Sequence, residues 1–182
     1  MRKEFIPKVL LVLFAMLLHS TAWGESTPAT RTLNGATLLG GGSGTQADPL
    51  LITTAEHLEE FSTLVNEGVI TNEYVKLAAD IDCTSLSDFM PIGCLDYPFI
   101  GTFTGGTADN HYTISNLTIK DDLSYVGLFG IVGNDGSIAV IENLDLSNCK
   151  ITAGYYTGAV AGLLRYNSKI TNCIVSSSEI SC

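Results

Sequence analysis

One segment of the chain has helical periodicity. Between residues 54 and 66, apolar residues recur three and four positions apart, which places them on one face of an α-helix. Thr53 and Glu56 form a capping-box pattern, in which the threonine hydroxyl accepts an early backbone N–H and the glutamate reaches back. Gly68 marks the helix end. Since only one face is apolar, the helix must pack on another element through Leu58, Phe61, Leu64 and Val65.

From about residue 98 the pattern changes to short β-branched and aromatic segments separated by Gly, Asn and Ser. Two motifs recur there in the same order. An Ile-x-Asn motif begins at Ile114, Ile141 and Ile170, at spacings of 27 and 29 residues. A second motif occupies residues 125–130 (YVGLFG) and 156–162 (YTGAVAG), and residues 99–105 (FIGTFTG) look like an earlier relative.

Repeats of about 20 to 50 residues that are built from strands predict a β-solenoid, in which each coil pairs with the coils above and below. Asn116, Asn143 and Asn172 share one motif position and are predicted to stack as a hydrogen-bonded ladder. Gly127 and Gly158 are predicted where the chain bends with positive φ or packs tightly. The alternative is a β-sandwich with coincidental repetition. The predicted inward columns are Leu117, Leu144 and Cys173, and beside them Ile119, Leu146 and Val175.

The first residues resemble an export signal. A basic start precedes a ten-residue apolar run, and Ala22-Trp23-Gly24 resembles a cleavage site. A retained membrane anchor is the alternative, although spanning a bilayer takes about 20 apolar residues. The predicted organisation is a signal peptide over residues 1–24, a Gly/Ser-rich linker over 25–49 and a β-helix domain over 50–182. No span is expected once residues 1–24 are removed, and the expected location is the cell surface or the medium.

The net charge limits the classes of partner, and the cysteine content limits the possible disulfides and metal sites. The chain has 9 basic and 19 acidic residues, a net charge of −10, which disfavours nucleic acid and anionic lipid. Export would permit disulfides, and Cys83 and Cys94 are the candidate pair because they flank a predicted turn. The odd total of 5 cysteines leaves at least one without a partner in the chain. Their spacing is not that of a zinc site, and no cofactor is expected.

The repeats resemble a known family. Residues 127–130 (GLFG), followed by an Ile-x-Asn strand, are similar to the GLUG repeat of bacterial surface proteins, which include adhesins and the N-terminal regions of some immunoglobulin-A-cleaving metallopeptidases. Loose upstream motifs extend the resemblance over about residues 41–182. The second copy departs from the pattern at residues 159–162 (AVAG), and Cys173 replaces an aliphatic residue. The resemblance implies a right-handed parallel β-helix, capped by the 54–66 helix and displayed outside a bacterial cell, with Gly130 and Gly162 as structural glycines.

A catalytic constellation is not evident from the sequence. The histidines beyond the signal, His57 and His111, lie in no His-Glu-x-x-His motif, and His111 is expected in a turn. The available carboxylate pairs are Asp80 with Asp82 and Asp121 with Asp122. We expect solvated turn carboxylates; the alternatives are Ca²⁺ ligands at Asp80 and Asp82, or the acid pair of a glycan-cleaving enzyme.

These observations favour a binding, adhesion or spacer module over an enzyme, with a polysaccharide-cleaving β-helix enzyme as the rival. The expected partner is a host or matrix protein or glycan. Tyr155, Tyr156 and Tyr166 are the candidate contact residues, although cross-coil packing would also account for them. The final residues read as the start of a further coil, with Ile180 matching Ile151, so we expect further C-terminal sequence or a partner at that end.

Overall fold

The computed structural model describes residues 32–33, 36–120 and 124–182. The predicted signal peptide at residues 1–24 lies outside the described residues, as do Asp121 and Asp122. The described chain opens with strands β1 (Thr32–Leu33) and β2 (Ala36–Thr37), which pair antiparallel. A loop then leads to strand β3 (Leu50–Ile52) and helix α1 (Ala55–Asn66).

The loop before β3 is ordered, although the sequence pattern suggested a linker there. Leu38 and Leu39 are buried in the core, and the Gly40 N–H donates to the Leu51 carbonyl at 2.7 Å. Asp48 closes the glycine-rich turn, because its carboxylate and its carbonyl both accept from the Ser43 N–H. Residues 38–49 therefore belong to the folded domain.

Helix α1 begins one residue later than the capping-box pattern predicted. Thr54 is the N-cap, and its side chain accepts from the His57 N–H at 3.2 Å. The Thr53 hydroxyl instead contacts the His57 ring Nδ1 at 3.0 Å, so the half-buried imidazole is held against the helix start. The helix ends before Gly68, whose φ of +71° suits glycine. The predicted apolar face is confirmed, with Leu58, Phe61, Leu64 and Val65 buried.

The rest of the chain forms a parallel β-solenoid of about three turns, as the repeats predicted. The first coil contributes β4 (Tyr74–Leu77) and β5 (Ile81–Asp82). The second contributes β6 (Thr102–Thr104), β7 (Gly106–Thr107), β8 (Asn110–Ser115), β9 (Thr118–Lys120), β10 (Ser124–Val126) and β11 (Phe129–Val132). The third contributes β12 (Val140–Glu142), β13 (Leu144–Ser147), β14 (Lys150–Thr152), β15 (Tyr155–Thr157) and β16 (Ala161–Leu164). The last contributes β17 (Lys169–Thr171), β18 (Ile174–Ser176) and β19 (Glu179–Ser181).

Four phenylalanines fill the interior beneath the helix. Phe61 of α1 lies 5.9 Å from both Phe99 and Phe103, measured between ring centroids. Phe129 of the second coil contacts Phe99 at 5.1 Å and Phe103 at 5.3 Å. All four side chains are fully buried. The cluster therefore joins the helix to the first coils through edge and stacked contacts that add to the burial of apolar area.

The strand register corrects the predicted alignment of the repeats. Ile114 pairs with Leu146 and not with Ile141, so the motif at residues 114–119 aligns with residues 146–151. Residues 141–146 align with 170–175, as predicted, and with the β6–β8 region of the second coil. The error arises because residues 141–151 (IENLDLSNCKI) repeat the pattern apolar-x-Asn-apolar every five residues within a single coil. The observed inward columns are Phe103, Ile141 and Ile170; Ile114, Leu146 and Val175; and Ile119, Ile151 and Ile180.

The asparagines accordingly form two ladders and not one. Asn172 donates through Nδ2 to the Asn143 Oδ1 at 2.8 Å, which confirms that pair. Asn116 lies at another corner, where Asn148 donates to its Oδ1 at 2.6 Å. All four have φ between 50° and 59°, in the left-handed region that asparagine tolerates better than most residues. Each asparagine therefore both permits a corner and ties it to the next coil.

The glycines that recur in the second motif allow tight packing. Gly127 and Gly158 do not have positive φ, but a Cβ at Gly127 would lie 2.6 Å from the Gly158 carbonyl oxygen. A Cβ at Gly130 would lie 2.4 Å from the carbonyl oxygen of Gly93, its counterpart in the first coil, and one at Gly162 would lie 2.3 Å from Tyr125 C. The earlier relative of the motif is thus residues 91–93 (PIG), and residues 99–105 instead align with the β12 region.

We expect Phe103→Ala to lower the free energy of unfolding by about 3 to 5 kcal/mol, because it opens a cavity inside the phenylalanine cluster. Urea denaturation followed by circular dichroism measures the change. Ile138→Ala is the matched control, since Ile138 is 59% exposed and its loss should stay within about 0.5 kcal/mol. Equal losses in the two variants would contradict the described core.

Candidate functional site

A cleft of about 430 Å³ opens on one side of the solenoid. Three parts of the chain line it: the last residue of α1, the loop at residues 84–98, and strands β10 and β11. Its volume is within the range of about 300 to 1,000 Å³ typical of ligand pockets. The lining includes the side chains of Asn66, Met90, Leu95, Asp96, Ser124 and Tyr125.

The loop at residues 84–98 replaces the strands that later coils have at this position, and helix α1 holds it in place. Ser62 Oγ donates to the Met90 carbonyl at 2.6 Å, and Asn66 Nδ2 donates to the Pro91 carbonyl at 3.0 Å. The Asn66 Oδ1 accepts from the Gly93 N–H at 2.9 Å. These bonds fix the wall of the cleft to the end of the helix, where Ser62 is buried and Asn66 is half-buried.

A tyrosine that lines the cleft stacks on a tyrosine of the next coil. Tyr125 lines the cleft, and its ring stacks on Tyr156 of the next coil, with centroids 5.0 Å apart and planes 16° apart. Tyr156 remains 63% exposed, so it both packs across coils and presents aromatic surface. Both residues have positive φ, 67° and 54°, which is rare for aromatic residues and occurs where the surrounding structure imposes it.

The three tyrosines suggested by the sequence lie in two different places. Tyr155 is 72% exposed and pairs with Ser124 of the cleft, so it lies beside Tyr156 at this site. Tyr166 lies in a turn after β16, where Arg165 is 5.3 Å from its ring centre, and it does not line the cleft. Sequence reasoning missed Tyr125, although its position in the repeat, equivalent to Tyr156, was a usable signal.

Exposed apolar side chains surround the opening. Met90 is 64% exposed, Leu95 67% and Tyr97 47%, and all three belong to the loop at residues 84–98. Met90 and Leu95 line the cleft, and the exposed Tyr155 and Tyr156 lie in β15, which pairs with the lining strand β10. Clustered exposed apolar side chains are typical of interaction sites, whereas single ones need no explanation.

The carboxylates suggested as Ca²⁺ ligands have partners within the chain. Asp80 Oδ1 accepts from the Thr113 N–H at 2.8 Å. Asp82 Oδ1 accepts from Thr84 and from Asn116 Nδ2 at 2.9 Å, so it heads the ladder of Asn116 and Asn148. These hydrogen bonds, the one from Asn116 first, lower the pKa of Asp82. Within residues 32–33, 36–120 and 124–182, no group of three His, Cys, Asp or Glu side chains could hold a metal ion.

All five cysteines are free thiols in the structure, where the suggested bridge between Cys83 and Cys94 is not formed. Cys83 points into the core and is fully buried, whereas Cys94 lines the cleft. The intervening loop therefore directs the two thiols to different surroundings, despite their closeness in sequence. Burial raises the pKa of the Cys83 thiol to about 12, and burial also raises the pKa values of Cys149 and Cys173.

His111 forms a paired network away from the cleft. The predicted turn is confined to the residues before β8, and His111 itself lies in that strand. Its Nδ1 is 2.7 Å from Asp145 Oδ1. Asn172 Nδ2 lies 2.9 Å from the His111 Nε2 and also donates to Asn143. This arrangement fits a neutral ring that donates from Nδ1 and accepts at Nε2. The network ties the β7–β8 hairpin to the third and last coils.

No protein-family model matches the chain. It is 31% identical over 163 residues to a protein of Evansella cellulosilytica named "Putative Gly-rich membrane protein", and this match covers 85% of the chain. It is 33% identical over 122 residues, 66% of the chain, to the halomucin of Haloquadratum walsbyi. The chain spans only 16% and 1% of the lengths of these relatives.

A solved structure shares the fold. The crystal structure of a "putative immunoglobulin A1 protease" from Bacteroides ovatus superposes with a TM-score of 0.60 at 21% identity, covering 83% of this chain and 44% of that one. At this identity the likeness concerns the architecture alone. In the part of the chain that is described, no helix has the length and apolar character to cross a membrane.

We expect Asp82→Asn to destabilise the protein at pH 7 and the difference from wild type to shrink below about pH 3.8, the ordinary pKa of the group. A carboxylate whose folded pKa is lowered contributes stability above its unfolded pKa and loses it as the pH falls through the folded pKa. Thermal unfolding between pH 2 and 7 measures this. Thr84→Val, which keeps the charge but removes one donor, should show a smaller loss, and a pH-independent difference for Asp82→Asn would contradict the assignment.

We expect iodoacetamide at pH 8 to label Cys182 and Cys94 in the folded protein at least about tenfold faster than Cys83 and Cys149, because burial keeps the latter two as inaccessible thiols. Peptide mapping by mass spectrometry measures the labelling, and the urea-unfolded protein is the control in which all sites should react. A Cys83–Cys94 linked peptide in the unreduced digest would contradict the described structure.

Proposed function

We propose that the chain is a β-solenoid module of an exported, surface-displayed protein of the GLUG-repeat kind, and that it binds a protein or glycan ligand at the cleft. The observation that carries the proposal is that Met90 and Leu95 are exposed in the lining of this cleft, while the exposed Tyr155 and Tyr156 lie in the strand that pairs with its lining strand β10. Leaving so much apolar surface in water is unfavourable unless a partner covers it.

Two further observations support this location and role. The first 24 residues have the pattern of an export signal. The relatives named as a Gly-rich membrane protein and a halomucin are much longer than this chain, which is consistent with one module among many. The same names are consistent with a pure spacer, which would need no ligand at the cleft.

The test is to apply the full exported chain to arrays of glycans and purified matrix proteins, together with two variants that share a backbone conformation. Tyr156→Asn removes the ring at the cleft and keeps a residue type that tolerates the φ of 54°. Binding should weaken about tenfold, as for an aromatic contact at an interface. Tyr166→Asn is the matched control, with a φ of 57° and 57% exposure, and should bind like wild type.

Binding that both variants retain equally would exclude the cleft as the site, and the absence of binding on either array would leave the spacer role. A reducing-sugar release assay on every glycan that binds covers the enzymatic alternative. Turnover that Asp80→Asn or Asp82→Asn abolishes would replace the binding proposal with a glycan-cleaving one.

A further inference from the structure

The hydrogen-bonding groups of the cleft are poorly suited to a sugar. A glycan ring presents several hydroxyls that need donors and acceptors in fixed positions. The Asn66 amide is already occupied, since Nδ2 donates to the Pro91 carbonyl and to Ser62 Oγ, and Oδ1 accepts from the Gly93 N–H. The polar groups of the lining side chains that show no hydrogen bond within the described residues are few: the Ser124 and Tyr125 hydroxyls, the Asp96 carboxylate and the Cys94 thiol.

The apolar part of the lining suits a large hydrophobic side chain. Met90 and Leu95 form one wall, and Val126 and Tyr125 form the other. Methionine is unbranched and polarizable, so the Met90 wall can adapt to side chains of different shapes. The cleft therefore offers burial to an aliphatic or aromatic group and few directional contacts.

The charge around the cleft favours a cationic ligand. Asp96 is exposed at its edge. Helix α1 and the loop at residues 84–98 carry five acidic residues and no lysine or arginine, a net charge of −5. Such a surface attracts positively charged groups and repels anionic ones. The exposed ring of Tyr156 adds a face on which a lysine or arginine can lie.

We infer that the cleft binds a peptide segment that carries a large apolar side chain next to a lysine or arginine. This inference rests on the proposed binding function and narrows its ligand from protein or glycan to a basic, apolar peptide. The apolar side chain enters between Met90, Leu95 and Tyr125, and the cation lies between Asp96 and the tyrosine stack.

The probe is an array of synthetic peptides in which the central residue (Leu, Phe or Ser) and the flanking charge (Lys, Gln or Glu) vary independently. We expect the full chain to select Leu or Phe flanked by Lys. For the best peptide, fluorescence anisotropy should show about tenfold weaker binding by Leu95→Ser and about threefold weaker binding by Asp96→Asn. Raising the salt concentration should weaken wild-type binding and have less effect on Asp96→Asn.

Asp109→Asn is the matched control, because it removes an equal charge at the exposed β7–β8 turn and should bind like wild type. Selection of neutral or acidic peptides, or equal losses in Asp96→Asn and Asp109→Asn, would overturn the inference. Glycans that bind in a Tyr156-dependent manner while no peptide binds would overturn it and leave the proposed function intact. Binding of neither class would overturn both.

Discussion

The constraint on which this structure depends is the in-register parallel pairing of successive coils. A residue that points inward must fit the residues above and below it, as in the column of Phe103, Ile141 and Ile170. The chain must also turn at the same place in every coil. Asparagines with positive φ provide those corners, and Gly130 and Gly162 permit close approach where a Cβ would strike the neighbouring backbone. Any segment that does not match the coil must leave the wall, as residues 84–90 and 94–98 do on either side of residues 91–93, which still pair with the next coil.

How far the sequence predicts this fold follows from the same constraint. Alternating apolar positions and recurring asparagines suffice for a solenoid, because both are local patterns. They do not suffice for its register. Leu146 precedes Asn148 by two residues, as Ile141 precedes Asn143, so the local chemistry of two corners is nearly identical. Only the pairing of whole strands distinguishes them, and that information is non-local.

The site was harder to predict than the fold for a related reason. The loop at residues 84–98 has no periodicity, and its position depends on bonds such as that from Ser62 to Met90, 28 residues away. The closeness of Cys83 and Cys94 in sequence suggested a bridge because spacing was the available evidence, but one side chain entered the core and the other the cleft. The candidate tyrosines were identifiable as aromatic residues of the sequence, whereas Tyr125 was identified as part of the site only by its stack with Tyr156.

The stack of Tyr125 and Tyr156 is compatible with packing and with binding at the same time. Cross-coil contact was the alternative explanation for the exposed tyrosines, yet Tyr156 keeps 63% of its surface in water while it stacks on Tyr125. A ring that is held by its neighbour loses little further freedom when a ligand covers it, so less of the interaction free energy is spent on ordering. In the proposed binding function, the solenoid would contribute to recognition through rigidity, because the same coil-to-coil pairing that stabilises the interior holds the aromatic surface beside the cleft.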